Sequence, residues 1–227
     1  MNILLFGATG MVGNGVLREC LHAKDVERVQ TVGRTATGQQ HANLVEVIHH
    51  DLWNYDAIEA CLAGFHACFF CLGVSSAGKS EEQYKHMTYD LTLAAAATLS
   101  RLNPQMTFVY VSGAGTDSTE RGRSMWARVK GRTENALRIL PFKAVYLFRP
   151  GLIEPMHGAQ SKTASYRRIY AVLKPLLPIL RRVFPKSVLT TEMIGRAMLA
   201  VTRAGARKVV LEPADISALC RSDARAV

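Results

Sequence analysis

Hydrophobic positions along the chain change period repeatedly, from unbroken apolar runs to helical stripes and back. Asn2 to Phe6 is an apolar run of strand type. After it, Val12, Val16, Leu17, Cys20 and Leu21 mark one face of a helix. Strands are predicted at Val26 to Val32, Leu44 to Ile48, Ala67 to Leu72, Thr107 to Val111 and Lys143 to Phe148. The Ala67 to Leu72 run has no polar side chain, as suits a strand buried on both faces. Between these runs the spacing predicts a short helix over Asn54 to Leu62. A long helix opens at a Ser80-x-x-Gln83 capping box and reaches Leu102, and another spans about Met125 to Leu140. Further on, Thr190 caps a helix that ends near Gly205, Lys208 to Glu212 forms a last strand, and Asp215 to Val227 reads as a frayed helix. This βαβα order predicts an α/β fold, a doubly wound parallel sheet with helices on both faces. No Gly-, Pro- or Ser-rich linker divides the chain, so residues 1–227 are expected to form a single domain.

The first strand runs into Gly7-Ala8-Thr9-Gly10-Met11-Val12-Gly13. Three glycines three apart, after a strand and before a helix, have the context of a dinucleotide cradle. Gly7 takes the tight turn, Gly10 admits a phosphate close to the backbone, and Gly13 lets the helix pack on the strand. The positive end of the helix dipole then faces a pyrophosphate, with Thr9, Met11 and Val12 beside it. At the end of the second strand, where an acid would hold the ribose hydroxyls of NAD(H), stand Arg34 and Thr35. A guanidinium donates to a 2′-phosphate and accepts nothing from a hydroxyl, so NADP(H) is expected over NAD(H). Asp51 and Leu52 close the third strand at the height of the adenine. Cys71, Leu72 and Gly73 close the fourth, beside the middle of the cofactor.

Together with Val111-Ser112-Gly113, Lys130 and Arg149-Pro150-Gly151, the glycine pattern resembles the short-chain dehydrogenase/reductase superfamily. The run Trp126 to Glu134 is similar to its atypical branch, the Tat-interactive-protein-like and NAD(P)H-binding group. The resemblance implies a Rossmann fold and a cofactor that also meets Ser112, Lys130, Pro150 and Gly151. It implies that Ser112 hydrogen-bonds the reacting oxygen and that Lys130 holds the nicotinamide ribose. The tyrosine expected one helical turn before the lysine is replaced by Trp126, and an indole N–H donates but does not titrate usefully. Tyr84, Tyr89, Lys79 and Ser75 follow the fourth strand and are candidates to approach the site. Two functions remain open. One is an atypical oxidoreductase or isomerase acting on a small carbonyl or hydroxyl compound; the other is a non-catalytic NADP(H)-binding sensor or scaffold.

Composition sharpens the picture at two places. Residues 155–191 hold seven basic side chains (Lys162, Arg167, Arg168, Lys174, Arg181, Arg182 and Lys186) and no acid, most of the formal net charge of +10. In the superfamily this region is the substrate lid. It suits an anionic substrate, a peripheral membrane surface, or a helix pair with a solvated basic face. No nucleic-acid motif accompanies it. A homodimer is consistent with the resemblance. The five cysteines form no framework; Cys68 and Cys71 are three apart on a strand and face opposite ways, so no metal is expected. The first apolar run lacks a basic leader region and no run approaches the ~18 residues of a membrane span, so a cytoplasmic location is expected.

Overall fold

The computed structural model describes residues 1–157 and 187–223. The predicted alternation becomes a seven-stranded, all-parallel sheet. Its strands are β1 (Asn2–Phe6), β2 (Arg28–Gly33), β3 (Leu44–Ile48), β4 (Ala67–Phe70), β5 (Thr107–Val111), β6 (Ala144–Phe148) and β9 (Val210–Leu211). They lie in the order β3-β2-β1-β4-β5-β6-β9. A second small sheet pairs β7 (Leu152–Glu154) with β8 (Val188–Thr190), also in parallel, an element the sequence pattern does not predict. The helices are α1 (Met11–His22), α2 (Glu81–Lys85), α3 (Leu91–Leu102), α4 (Met125–Arg138), α5 (Thr191–Ala204) and α6 (Pro213–Asp223).

Strand alternation sends side chains to two cores. Ile3 and Leu5 join Val16, Leu17, Phe69, Val109, Phe148, Ile194 and Met198 under α1 and α5. Leu4 and Phe6 join Phe70, Phe108, Tyr110, Ala95, Ala96, Leu99 and Leu137 under α3 and α4. Both faces are therefore covered, which explains why the central strands read as unbroken apolar runs. Cys68 belongs to the second core and Cys71 packs on the first, the opposite placement expected of them.

Boundaries shift where local hydrogen bonds compete. β2 begins at Arg28 because Val26 closes a turn on Ala23 (3.1 Å). The Asn54 helix contracts to a 3-10 segment, Asp56–Cys61, with the Asn54 side chain accepting from the Asp56 N–H at 2.8 Å. β4 stops at Phe70, so Cys71 and Leu72 belong to the loop above it. The capping box forms as predicted, Ser80 and Gln83 each accepting from the other's backbone N–H. The long helix it opens is not continuous, because a π turn over His86–Asp90 separates α2 from α3. There Asp90 takes both Lys85 and His86, each at 3.2 Å. α6 opens at Pro213, whose fixed φ and missing N–H suit a helix start.

The strand order reverses between β1 and β4. In open parallel sheets the crevice above the C-terminal strand ends at such a point receives ligands.

Candidate functional site

A cleft of about 600 Å³ opens above the strand ends at this switch point. A second lobe of about 200 Å³ continues it toward β2 and shares Gly7, Thr9, Arg34 and Leu72 with it. Most of the residues expected at a dinucleotide site meet here. Thr9, Gly10, Met11, Val12, Cys71, Gly73, Ser112, Trp126, Lys130, Pro150 and Gly151 line the larger part; Thr35 and Leu52 line the smaller.

The floor is built by close backbone packing. Gly7 has φ +79°, and a Cβ there would stand 2.7 Å from the Cys71 carbonyl carbon. At Gly13, which packs beneath the cleft and does not line it, a Cβ would stand 2.1 Å from the Gly7 oxygen. Gly10 donates its N–H to Gly7 at 2.9 Å and caps α1 without a side chain, and the first turn holds no acidic residue. The orphan N–H groups of that turn thus meet neither a capping side chain nor a carboxylate. These features fit the pyrophosphate of a dinucleotide. At the far lobe the exposed Arg34 stands beside Thr35 and Thr37. The loop is held because the Thr37 N–H donates to Glu46 on β3 at 2.7 Å.

Asp51 is a correction. It is exposed and lines neither lobe; its carboxylate accepts the Trp53 N–H at 3.0 Å, so a local turn claims it. Leu52 alone of that pair reaches the cleft.

Ser112 lines the cleft, with its hydroxyl engaged by the protein. Its hydroxyl lies 2.6 Å from Glu134 Oε1 and 3.1 Å from the Phe148 carbonyl, both acceptors. The single hydroxyl proton is committed inward, not to an oxygen in the cleft. The cause is Glu134, a carboxylate only 1% exposed, which draws charge-assisted donors. Arg149, 11% exposed, grips the same carboxylate in a two-pronged pair and also reaches Ser118 at 2.6 Å and Glu212 at 3.3 Å. Glu134 raises the Arg149 pKa further above its ordinary value. Sequence reasoning does not nominate Glu134, although its spacing of four from Lys130 is a usable signal.

Lys130 is half-buried and donates to the Ser112 carbonyl at 2.6 Å. Burial pushes its pKa down to about 8, against the pull of Glu134 in the other direction. The indole of Trp126 lies under the loop after β5, within 3.6 Å of the position a Cβ on Gly115 would take. Of the four extra candidates, Tyr84 and Ser75 line the cleft. Tyr89 lies under Lys85 and Arg132, which sit 5.5 and 5.2 Å from its ring centre, and Lys79 is not in the lining. Burial raises the Cys71 pKa well above its usual value, so this cleft thiol stays neutral. Among the described residues no His, Cys, Asp and Glu cluster could hold a metal ion. The seven basic residues of the expected lid lie outside the described residues.

A family model described as NAD(P)H-binding matches residues 7–140. A relative from Emericella nidulans, "Protein fmp52, mitochondrial", is 27% identical over 177 residues, 75% of this chain and 74% of its own. Another from Aspergillus oryzae, "Protein fmp52-2, mitochondrial", is 27% identical and spans 96% of both chains. Among solved structures, the Bordetella bronchiseptica enzyme WbmF in complex with NAD+ superposes with a TM-score of 0.69 at 14% identity, over 97% of this chain and 77% of that one. Uronate dehydrogenase from Agrobacterium tumefaciens superposes at 0.65 with 20% identity, over 94% and 76%. These structures share the Rossmann-type fold. The names of the relatives overturn the cytoplasmic location expected from the sequence. An apolar first strand reports on folding, whereas a cellular address is read by receptors, so the first gave no purchase on the second.

Proposed function

The chain belongs to the NAD(P)H-binding family, and from that premise we propose that it is an oxidoreductase using NADP(H) to interconvert a small carbonyl compound and its alcohol. Arg34 is the observation that carries the coenzyme choice. It lines both lobes of the cleft at the end of β2, and Glu46 of β3 is engaged by the Thr37 backbone N–H. A guanidinium there pairs with a 2′-phosphate in a charge-assisted contact. The first-turn N–H groups of α1 at Met11 and Val12 hold the pyrophosphate, and Leu52 and Leu72 border the adenine end. When bound, the nicotinamide supplies or accepts a hydride at its C4. The chain's own part is to hold the ring and the reacting carbon together above Ser112, Trp126 and Lys130 and to manage the proton. The relatives' names support a mitochondrial setting for this work.

The test is separate titration of NADPH and NADH into the full chain by calorimetry. Wild type binds NADPH more tightly. Arg34→Asp weakens NADPH by roughly 10- to 100-fold, the worth of one charge-assisted contact, and spares NADH. An unchanged ratio refutes the preference, and no heat from either nucleotide refutes the dinucleotide reading.

A further inference from the structure

We propose that Lys130 itself hands the proton to the substrate oxygen, in the place where Trp126 leaves the helix without an acid; this rests on the oxidoreductase reading above. Five other cleft residues are unsuited by their chemistry or by what they touch. Trp126 has no titratable proton. The Ser112 hydroxyl gives its proton to Glu134 or Phe148. Cys71 is held neutral by burial and is a poor acid. Tyr84 is 2% exposed, and its phenol faces that of Tyr110, whose pKa burial and Tyr84 both push up. Arg34, at the far lobe, does not release protons.

Lys130 differs in two ways. Its ammonium has three donors, and the structure commits one, to the Ser112 carbonyl. That contact fixes the nitrogen at the end of β5 and leaves the other N–H groups for the cleft. Its obvious counter-charge is also engaged elsewhere: Glu134, four residues on, is gripped by both prongs of Arg149. Burial lowers the Lys130 pKa to about 8, and Glu134, already held by Arg149, pulls the other way without cancelling the drop. An acid of that strength is mainly protonated at neutral pH and releases its proton readily, the balance that general-acid catalysis favours.

During reduction the carbonyl carbon gains a C–H bond with the hydride electron pair while the π pair of C=O moves to oxygen. That oxygen takes one ammonium proton, and the N–H pair stays on Nζ as a neutral amine, which is reprotonated from water. The carbonyl is reduced and NADPH is oxidised.

Two measurements test this on the full chain. Carbon-13 labelling at the lysine ε position gives an NMR titration without nucleotide or substrate, with the Lys130 signal assigned by its loss in Lys130→Arg. We expect a midpoint near 8 in place of the ordinary 10.5. In the second, pyridine-3-carbaldehyde and 2,3-butanedione serve as carbonyl probes with NADPH. Arginine keeps the positive charge but does not release its proton. Lys130→Arg should hold its NADPH Kd within about threefold while kcat drops by about 100-fold or more, and wild-type kcat for reduction should fall as pH rises through about 8. A midpoint near 10.5 overturns the proposal, and so does reduction at the wild-type rate by Lys130→Arg; neither touches the nucleotide reading. Wild-type protein that binds NADPH and reduces neither probe also overturns it. Failure to bind NADPH at all removes the reading beneath it instead.

Discussion

At the glycine end of the cleft the backbone itself forms the surface, and at the lysine end side chains do. Gly7, Gly10 and Gly13 bring β1 and α1 so close that a single methyl would stand 2.1 Å from an oxygen. Around Ser112, Lys130, Glu134 and Arg149 the strand ends are held by a buried ion pair and the hydrogen bonds grafted onto it. The contrast is between two ways of building one cleft. A backbone surface offers N–H groups suited to a diphosphate, and at Gly7 and Gly13 it leaves no room for a side chain. A side-chain surface can be re-equipped, and a tryptophan in place of an expected tyrosine is one such change.

The comparison makes ordered predictions. The largest effect belongs to the side-chain end. Arg149→Met strips Glu134 of its ion partner in a buried site, and should cost about 3–5 kcal/mol. For a chain of this size that lowers Tm by roughly 10 °C, read by calorimetry. A change under about 1 kcal/mol would mean that the pair is solvated and that the buried network is not what holds the strand ends.

Gly13→Ala comes next. The added methyl must push α1 away from the Gly7 carbonyl, an overpacking worth about 2–3 kcal/mol. Because the same movement tilts the first-turn N–H groups, NADPH affinity should fall in parallel, whereas Arg149→Met should spare affinity relative to stability. Equal losses of affinity in both variants would erase the distinction between the two ends.

Ser112→Ala is the smallest. It removes one donor from Glu134 while Arg149 remains, so about 1 kcal/mol and a Tm decrease of roughly 2–4 °C are expected from denaturation curves. Loss of carbonyl reduction with no change in Tm would return Ser112 to the role its resemblance implies, with its hydroxyl turned to the substrate.

The two ends also differ in how far the amino-acid sequence alone reveals them. Glycine recognition is written locally: a strand, three spaced glycines and a helix stripe lie within one stretch, so β1, α1 and the cradle are legible. Arg34 is legible for the same reason, since the strand before it fixes its height. The network is not. Glu134 and Lys130 are four apart on one helix, but what Glu134 meets depends on pairing Val111 with Phe148, a register between strands 37 residues apart in sequence. Only that pairing brings Ser112 and Arg149 to one carboxylate. Asp51 fails for the opposite reason, because a turn two residues long outcompetes a ligand contact. The π turn at His86–Asp90 adds a residue to one helical turn, a change of pitch that a hydrophobic stripe does not display.

The small β7–β8 ladder has a consequence of its own. Leu152, Ile153 and Glu154 pair in parallel with Val188, Leu189 and Thr190, so two stretches far apart in sequence are fixed side by side. Doubling the length of a closed loop adds only about 0.6 kcal/mol of closure entropy, so a change in the number of residues between these two strands costs the ladder little.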